Sequence, residues 1–350
     1  MTARSASALG ARRLDDLLDR QVGVRYSAAV VRVERGGSVV YERAAGTLRG
    51  GGGGSVFVDT RFDLASITKV FVSTVALVLV ARGTLALDAP LVDAVAEWRD
   101  TAHAAITLRA ILAHTAGFRS GADYRTLFDE HIETFALREP LVAPAGERVV
   151  YSDLGFLALG AILARSTGIA LEPLVERELR ALGSERVTFA RRARAEAIPA
   201  TEYDAWRGLV QGRVHDEKAA LAGGVAGHAG LFADARDVAR LGEWYLGARR
   251  GRPSPLPPAL AAAATTEAAP DPVLRRGLGW ALKTSAENSC GTLMSAQAFG
   301  HTGFTGTCIW VDPLRDLNVV TLTNAVHCGR HDLRDVRAAI CDAAVEAFAA

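Results

Sequence analysis

Ser66 and Lys69 stand three positions apart in Ser66-Ile67-Thr68-Lys69, so on a helix their side chains leave from one face. The run that follows, Val70 to Ala81, is nearly all apolar and reads as a buried core helix. A lysine at the head of a buried helix is costly unless it has a partner or a lowered pKa. That cost has a chemical use. A desolvated amine that is neutral near pH 7 can take the proton of an adjacent serine hydroxyl, which makes the pair a nucleophile and its base. The structural alternative is a serine that caps the helix and a lysine that snorkels to solvent.

Two more groups offer complementary chemistry. Tyr151-Ser152-Asp153 follows the turn Pro144-Ala145-Gly146-Glu147 and precedes an apolar helical stretch. A tyrosine there packs as an ordinary aromatic or, beside a lysine ammonium, relays a proton through its phenol. His301-Thr302-Gly303 leads into a strand, and Gly303 would let a ligand backbone approach that strand closely. Lys283-Thr284-Ser285 resembles the last triplet but ends in serine within polar sequence, so His301 is preferred.

Other chemistries lack their signatures. There is no H-E-x-x-H, no P-loop and no G-x-S-x-G elbow, and the glycines around Ser120 are misplaced for that elbow. Gly50 to Gly54 reads as a flexible connector, because no strand–loop–helix unit with a following Lys-Ser/Thr surrounds it. The stretch His327-Cys328-Gly329-Arg330-His331 matches no standard zinc spacing and reads as a loop. No metal and no cofactor is expected.

The order of the three motifs resembles the serine β-lactamase and penicillin-binding-protein superfamily: S-x-x-K early, Y-x-N/D in the middle, [KH]-T-G late. More closely, the chain is similar to the class C β-lactamase-related branch, with its esterases and D-amino-acid peptidases. FDLASITK, ITLRAILAHTAGF, PAGERVVYSDLGFLALGAIL and GHTGFTGTCIWVDP followed by LTN carry the likeness, which runs from about Val30 to Asn324. It implies an α+β fold of the β-lactamase/transpeptidase kind: a mainly antiparallel sheet flanked by helices, with an inserted helical domain. It also implies that Ser66 is acylated, that Lys69 and Tyr151 transfer protons, and that His301 and Thr302 line the substrate carboxylate or carbonyl side. The oxyanion hole would be the N–H groups of Ser66 and of Phe304, the residue after Gly303. The segment Gly212 to Leu241 resembles muramyl-peptide amidase relatives, so His215, Asp216 and His228 either touch substrate or belong to a glycine-rich loop over the cleft.

One departure matters. The family usually has Asn where this chain has Asp153. A carboxylate there either holds Lys69 as an ammonium or accepts hydrogen bonds from substrate, and the second role is the favoured expectation. The implied function is a serine hydrolase acting through an acyl-enzyme on an ester or amide, with a cell-wall peptide or muropeptide as leading substrate. A small-ester hydrolase, a transacylase and a non-catalytic penicillin-binding-type sensor are the alternatives.

The elements that must position these residues follow from pattern. Ser27–Glu34 and Ser38–Ala45 around Gly36-Gly37 read as an antiparallel hairpin. Leu64 to about Ala269 is mostly helical, with Thr107 as a helix cap, and Arg252–Pro272 reads as a surface excursion. Strand signals return in GLGWALK, HTGFTGTCIWVD and LNVVTLTNAV before a closing helix, Leu333–Ala350. Strands at both ends predict one sheet built from the two termini: residues 1–85 plus 273–350, with 86–272 inserted as a mostly helical domain.

The chain has 350 residues, 40 Lys plus Arg against 39 Asp plus Glu, and net charge +1, which offers no general attraction to nucleic acid. A small-molecule or peptide-like substrate is the expected partner. No membrane span is expected, and the four cysteines read as free thiols. Charges at Arg12, Arg13, Asp15 and Asp16 interrupt any signal-peptide core, so the expected compartment is cytoplasmic, or periplasmic or secreted if the sequence is trimmed.

Overall fold

The computed structural model describes residues 3–189, 194–269, 271, 275–284 and 288–349, with side chains from Leu9 onward. The chain opens with helix α1 (Ala3–Gln21), then the hairpin β1 (Ala28–Arg35) and β2 (Ser38–Gly46), as the Gly-Gly turn predicts. A two-residue strand, β3 (Phe62–Asp63), leads into α2 (Ile67–Ala81), where Ile67 through Leu79 are all buried. After it come α3 (Leu108–Leu112), capped by Thr107, then α4 (Ile132–Arg138), α5 (Asp153–Thr167) and α6 (Leu171–Ala181). The middle of the chain is less helical than expected. It also holds β4 (Thr188–Phe189), the hairpin β5 (Glu202–Asp204) and β6 (Gly208–Val210), α7 (Glu217–Leu221) and β7 (Leu231–Ala233). Then follow α8 (Ala235–Arg249), α9 (Pro258–Ala264), β8 (Ala281–Leu282), β9 (Phe299–Thr302), β10 (Cys308–Asp312), β11 (Leu317–Thr323) and α10 (Arg334–Phe348).

One six-stranded sheet, ordered β2-β1-β11-β10-β9-β8, joins the two ends of the chain, and every pairing in it is antiparallel. Its central strands are covered on both faces, which explains their unbroken apolar runs. Val30, Val320 and Leu322 point into the core shared with α2 and α8; Val31, Val33 and Val319 point to Leu14 and Ile340 of α1 and α10. Those two helices cross so closely that a Cβ on Gly10 would lie 2.2 Å from that of Ala347.

Two details depart from the sequence pattern. Helix α8 lies within the span expected to form the inserted domain, yet it packs on β1, β10 and β11, with Asn318 Nδ2 donating to Ala239 O at 2.7 Å. The Pro/Ala-rich excursion is partly interior, because Leu256, Ala261 and Ala264 are buried. The expected boundary at 272/273 lies outside the described residues. No single described helix is long and apolar enough to cross a membrane. The four cysteines are free, three of them buried.

Candidate active site

The site is built where β3 turns into α2. Strand β3 pairs with β7 (Asp63 opposite Phe232), and Leu64 N donates to Leu231 O at 3.0 Å. The chain must then reverse sharply, and Ala65 does so with φ +46°, a left-handed conformation costing a non-glycine residue about 1–2 kcal/mol. Its neighbours hold it there. The buried Asp63 carboxylate accepts from Ala65 N (2.8 Å) and from His215 N (2.6 Å), while the Thr305 and Thr307 hydroxyls donate to the carbonyls of Asp63 and Leu64. Two convergent N–H donors favour the charged form, but full burial outweighs them and pushes the Asp63 carboxyl up to about 6.

Ser66 thus emerges at the head of α2. It occupies the N-cap position without making a side-chain cap bond, and its Oγ instead accepts from Lys69 Nζ at 2.9 Å. Lys69 does not snorkel; it is fully buried. Its ammonium lies 2.8 Å from Asp153 Oδ1, 3.4 Å from His228 O and 4.8 Å from the Tyr151 ring centre. Burial by itself would lower the lysine pKa, but the Asp153 charge and the Tyr151 phenol outweigh it and hold the amine above its ordinary range. A neutral resting amine, the expectation from desolvation alone, therefore does not describe this lysine. Nor does the favoured substrate-only role describe Asp153, which grips Lys69 directly.

Ser152 caps α5, accepting from Gly155 N at 3.0 Å and donating to Arg119 O at 2.6 Å, so it aims Tyr151 and Asp153 rather than acting itself. His114, with φ +60°, packs its ring 4.6 Å from Tyr151 and accepts from Ser152 N at 3.1 Å. Burial first, then Arg276 and Lys69, keep His114 well below the usual imidazole range.

On the other wall, His301 and Thr302 end β9. The His301 ring donates from Nδ1 to Thr302 O at 2.8 Å, leaving a buried Nε2 without a partner. Burial, Arg276 and Lys69 push His301 down to about 3, so it serves as a neutral imidazole. Gly303 has no room for a side chain: a Cβ would sit 2.1 Å from Thr307 Oγ1 and 2.5 Å from Leu64 O. That close approach brings Phe304 to the same cleft as Ser66. The N–H groups of Ser66 and Phe304 donate to no acceptor among the described residues.

Ser66 lies between two clefts. The larger, about 630 Å³, is lined by Tyr151, Arg275, Arg276, His301 and Thr302. Arg276 is buried, its guanidinium sits 5.0 Å from the Tyr151 ring centre, and its Nε has no hydrogen-bond partner. Burial lowers its pKa, against the opposing influence of Tyr151 and Asp271. The smaller cleft, about 290 Å³, is lined by Asp153, His215, Asp216, Lys218, Phe304 and Arg330. Phe304 is 57% exposed, with the His215 ring stacked 5.6 Å away.

The structure therefore brings together Ser66, Lys69, Tyr151, Asp153, His301, Thr302, Gly303 and Phe304, and places His215, Asp216 and His228 on the same site. Lys283 points elsewhere, donating to Thr292 O and Met294 O; Ser285 lies outside the described residues. Asp153, Asp216 and His228 would suit a cation by spacing, but Lys218 Nζ already sits 3.3 Å from both carboxylates. Asp63, His114, Lys218 and Arg276 were not legible in the sequence, because no motif spacing marks them.

The Beta-lactamase family model matches residues 14–342. The chain belongs to that family. Its relatives include an Escherichia coli K12 protein named "Putative D-alanyl-D-alanine carboxypeptidase", 31% identical over 90% of this chain and 82% of the relative. A Bacillus subtilis protein named N-acetylmuramyl-L-alanine amidase is 29% identical over 90% of this chain and 81% of its own. Among solved structures, "EstCE1, a hydrolase with promiscuous acyltransferase activity" superposes with a TM-score of 0.80 at 22% identity, covering 97% of this chain and 99% of the other. A class C β-lactamase from Rhodobacter sphaeroides gives 0.73 at 19% identity, covering 95% and 98%. This β-lactamase-family chain is a hydrolytic enzyme with the antiparallel fold that its motifs imply.

Proposed function

We propose that the protein is a serine hydrolase that forms an acyl-enzyme on Ser66 and cleaves an amide of a cell-wall-derived peptide or muropeptide. The observation that carries this reading is the 2.9 Å contact between Ser66 Oγ and a fully buried Lys69 Nζ, at a serine freed from capping. Once Lys69 has lost a proton, it accepts the Ser66 hydroxyl proton as Oγ attacks the acyl carbon. The developing oxyanion meets the N–H groups of Ser66 and Phe304. As the C–N bond breaks, the proton returns from Lys69 through the Tyr151 phenol to the departing nitrogen. Water then attacks the ester by the reverse proton route, releasing acid and regenerating Ser66. Because Lys69 rests as an ammonium, activity rises with pH.

The substrate reading is supported by the relatives' names and by Arg276, a buried cation beside Ser66 whose Nε has no hydrogen-bond partner and which suits a substrate carboxylate. A fluorophosphonate probe with intact-mass analysis tests the mechanism: wild type gains one adduct on Ser66, and Ser66→Ala loses both adduct and turnover. A label kept in Ser66→Ala and mapped to another serine, such as Ser152, overturns it. Turnover of muropeptides, p-nitrophenyl esters and nitrocefin, compared side by side, then tests the substrate. Ester turnover without muropeptide turnover would favour the small-ester alternative.

A further inference from the structure

Asp153 faces two lysines. Its Oδ1 lies 2.8 Å from Lys69 Nζ and its Oδ2 lies 3.3 Å from Lys218 Nζ. Lys218 Nζ is also 3.3 Å from Asp216 Oδ2, whose Oδ1 accepts from His228 Nε2 and from Ala219 N, both at 2.8 Å. The carbonyl of His228 then accepts from Lys69, closing a ring in which ammonium and carboxylate alternate beside the nucleophile.

Lys218 stands two residues after the Asp216 cap in α7, a helix of only five residues whose terminal partial charges do not fix where its side chain turns. Its side chain is only 13% exposed, so its amine is drawn inward to the two carboxylates rather than out to water. What that placement achieves is a shared counter-charge: without it, Lys69 would be the sole ammonium in direct contact with Asp153 among the described residues.

We propose that Lys218 is a positioning residue that offsets the Asp153 carboxylate and thereby lets Lys69 release its proton for catalysis. The inference rests on the acyl-enzyme reading above. The other charged and titratable groups facing Lys69 stay constant when Lys218 is changed: Tyr151, Asp153 and His114 around the start of α5, Asp216 and His228 beside α7, His301 on β9, and Arg276 before β8. Removing the Lys218 charge leaves two carboxylates to one nearby ammonium, so the Lys69 proton is held more tightly. The rising part of the pH–rate profile must then move to higher pH.

The test is the rate of Ser66 acylation by p-nitrophenyl acetate between pH 5 and 10.5, with the full chain and its Lys218→Met and Lys218→Arg variants. Lys218→Met should move the rising limb up by about one pH unit, equivalent to a roughly tenfold slower rate at any pH on that limb. Lys218→Arg keeps the charge and should restore most of the wild-type profile. Should Lys218→Met fail to fold by circular dichroism, Lys218→Gln removes the same charge and is read in the same way. A Lys218→Met profile that superposes on wild type, or an Arg variant no better than Met, overturns the proposal. Wild-type protein that takes no label on Ser66 would instead overturn the acyl-enzyme reading, and this inference with it.

Discussion

At the scale of single residues, the site turns on how one carboxylate acts on one amine. Asp153 is held below the ordinary carboxylate range: burial opposes its charge, but Lys69, then His228 and Lys218, more than compensate. In return it raises Lys69. Asp153→Asn keeps the side-chain size and removes the charge, so the neutral amine forms at lower pH and the rising limb of acylation shifts downward. A shift of about one pH unit or more is expected from a pH series on the purified variant. An unmoved limb together with new turnover of acylamido substrates such as nitrocefin would return Asp153 to substrate recognition. The neutral His301 adds a second residue-scale consequence. It carries no positive charge, so Arg276 is the cation in that cleft that the proposed substrate carboxylate would meet.

At the scale of elements, the proposed chemistry requires three chain segments to meet. The β3–α2 turn carries Ser66, the cap of α5 carries Tyr151 and Asp153, and the end of β9 carries His301 and Thr302. Gly303 sets the third contact, because its Cα side faces Leu64 O, and Arg337 Nη2 binds its carbonyl from behind at 2.8 Å. Gly303→Ala would force β9 away from Ala65 and Ser66. The Thr307 hydroxyl can rotate aside, but the Leu64 carbonyl is fixed backbone. We expect kcat to fall about 10²-fold, as a misplacement near 1 Å can do, with a lower melting temperature. Wild-type kcat in the alanine variant would show that the strand does not position the nucleophile.

At the scale of the whole molecule, Asn324 ties the two ends of the chain to its middle. Its Oδ1 accepts from Ser27 N and Ala28 N at the start of β1, and its Nδ2 donates to Ser27 Oγ and to Ala200 O before β5. The side chain is buried, so Asn324→Ala leaves several polar groups without water or partner. The expected loss is about 3 kcal/mol of stability, measured by denaturant unfolding. A variant within 0.5 kcal/mol of wild type would mean that the termini are held by strand pairing alone.

Elements whose periodicity is strong and local can be read from the chain alone. The β1–β2 hairpin, the apolar α2, the Thr107 cap and strands β10 and β11 all lie where turn residues and apolar patterning place them, since those signals act over a few residues. The three motifs were legible for the same reason, each being a short local pattern. Tertiary structure decided what joins them. The short strands β3, β4 and β7 carry two or three residues each, too few for an alternating pattern, and exist because they pair with one another. Helix α8 packs on the sheet through contacts to strands at both ends of the chain, which no local window contains. The protonation of Lys69 is the sharpest case. Burial argued for a neutral amine, and only the arrival of Asp153, eighty-four residues along the chain, reversed that sign, with Lys218 drawn in to temper it. Charge at close range outweighs desolvation here, and closeness is a property of the folded chain.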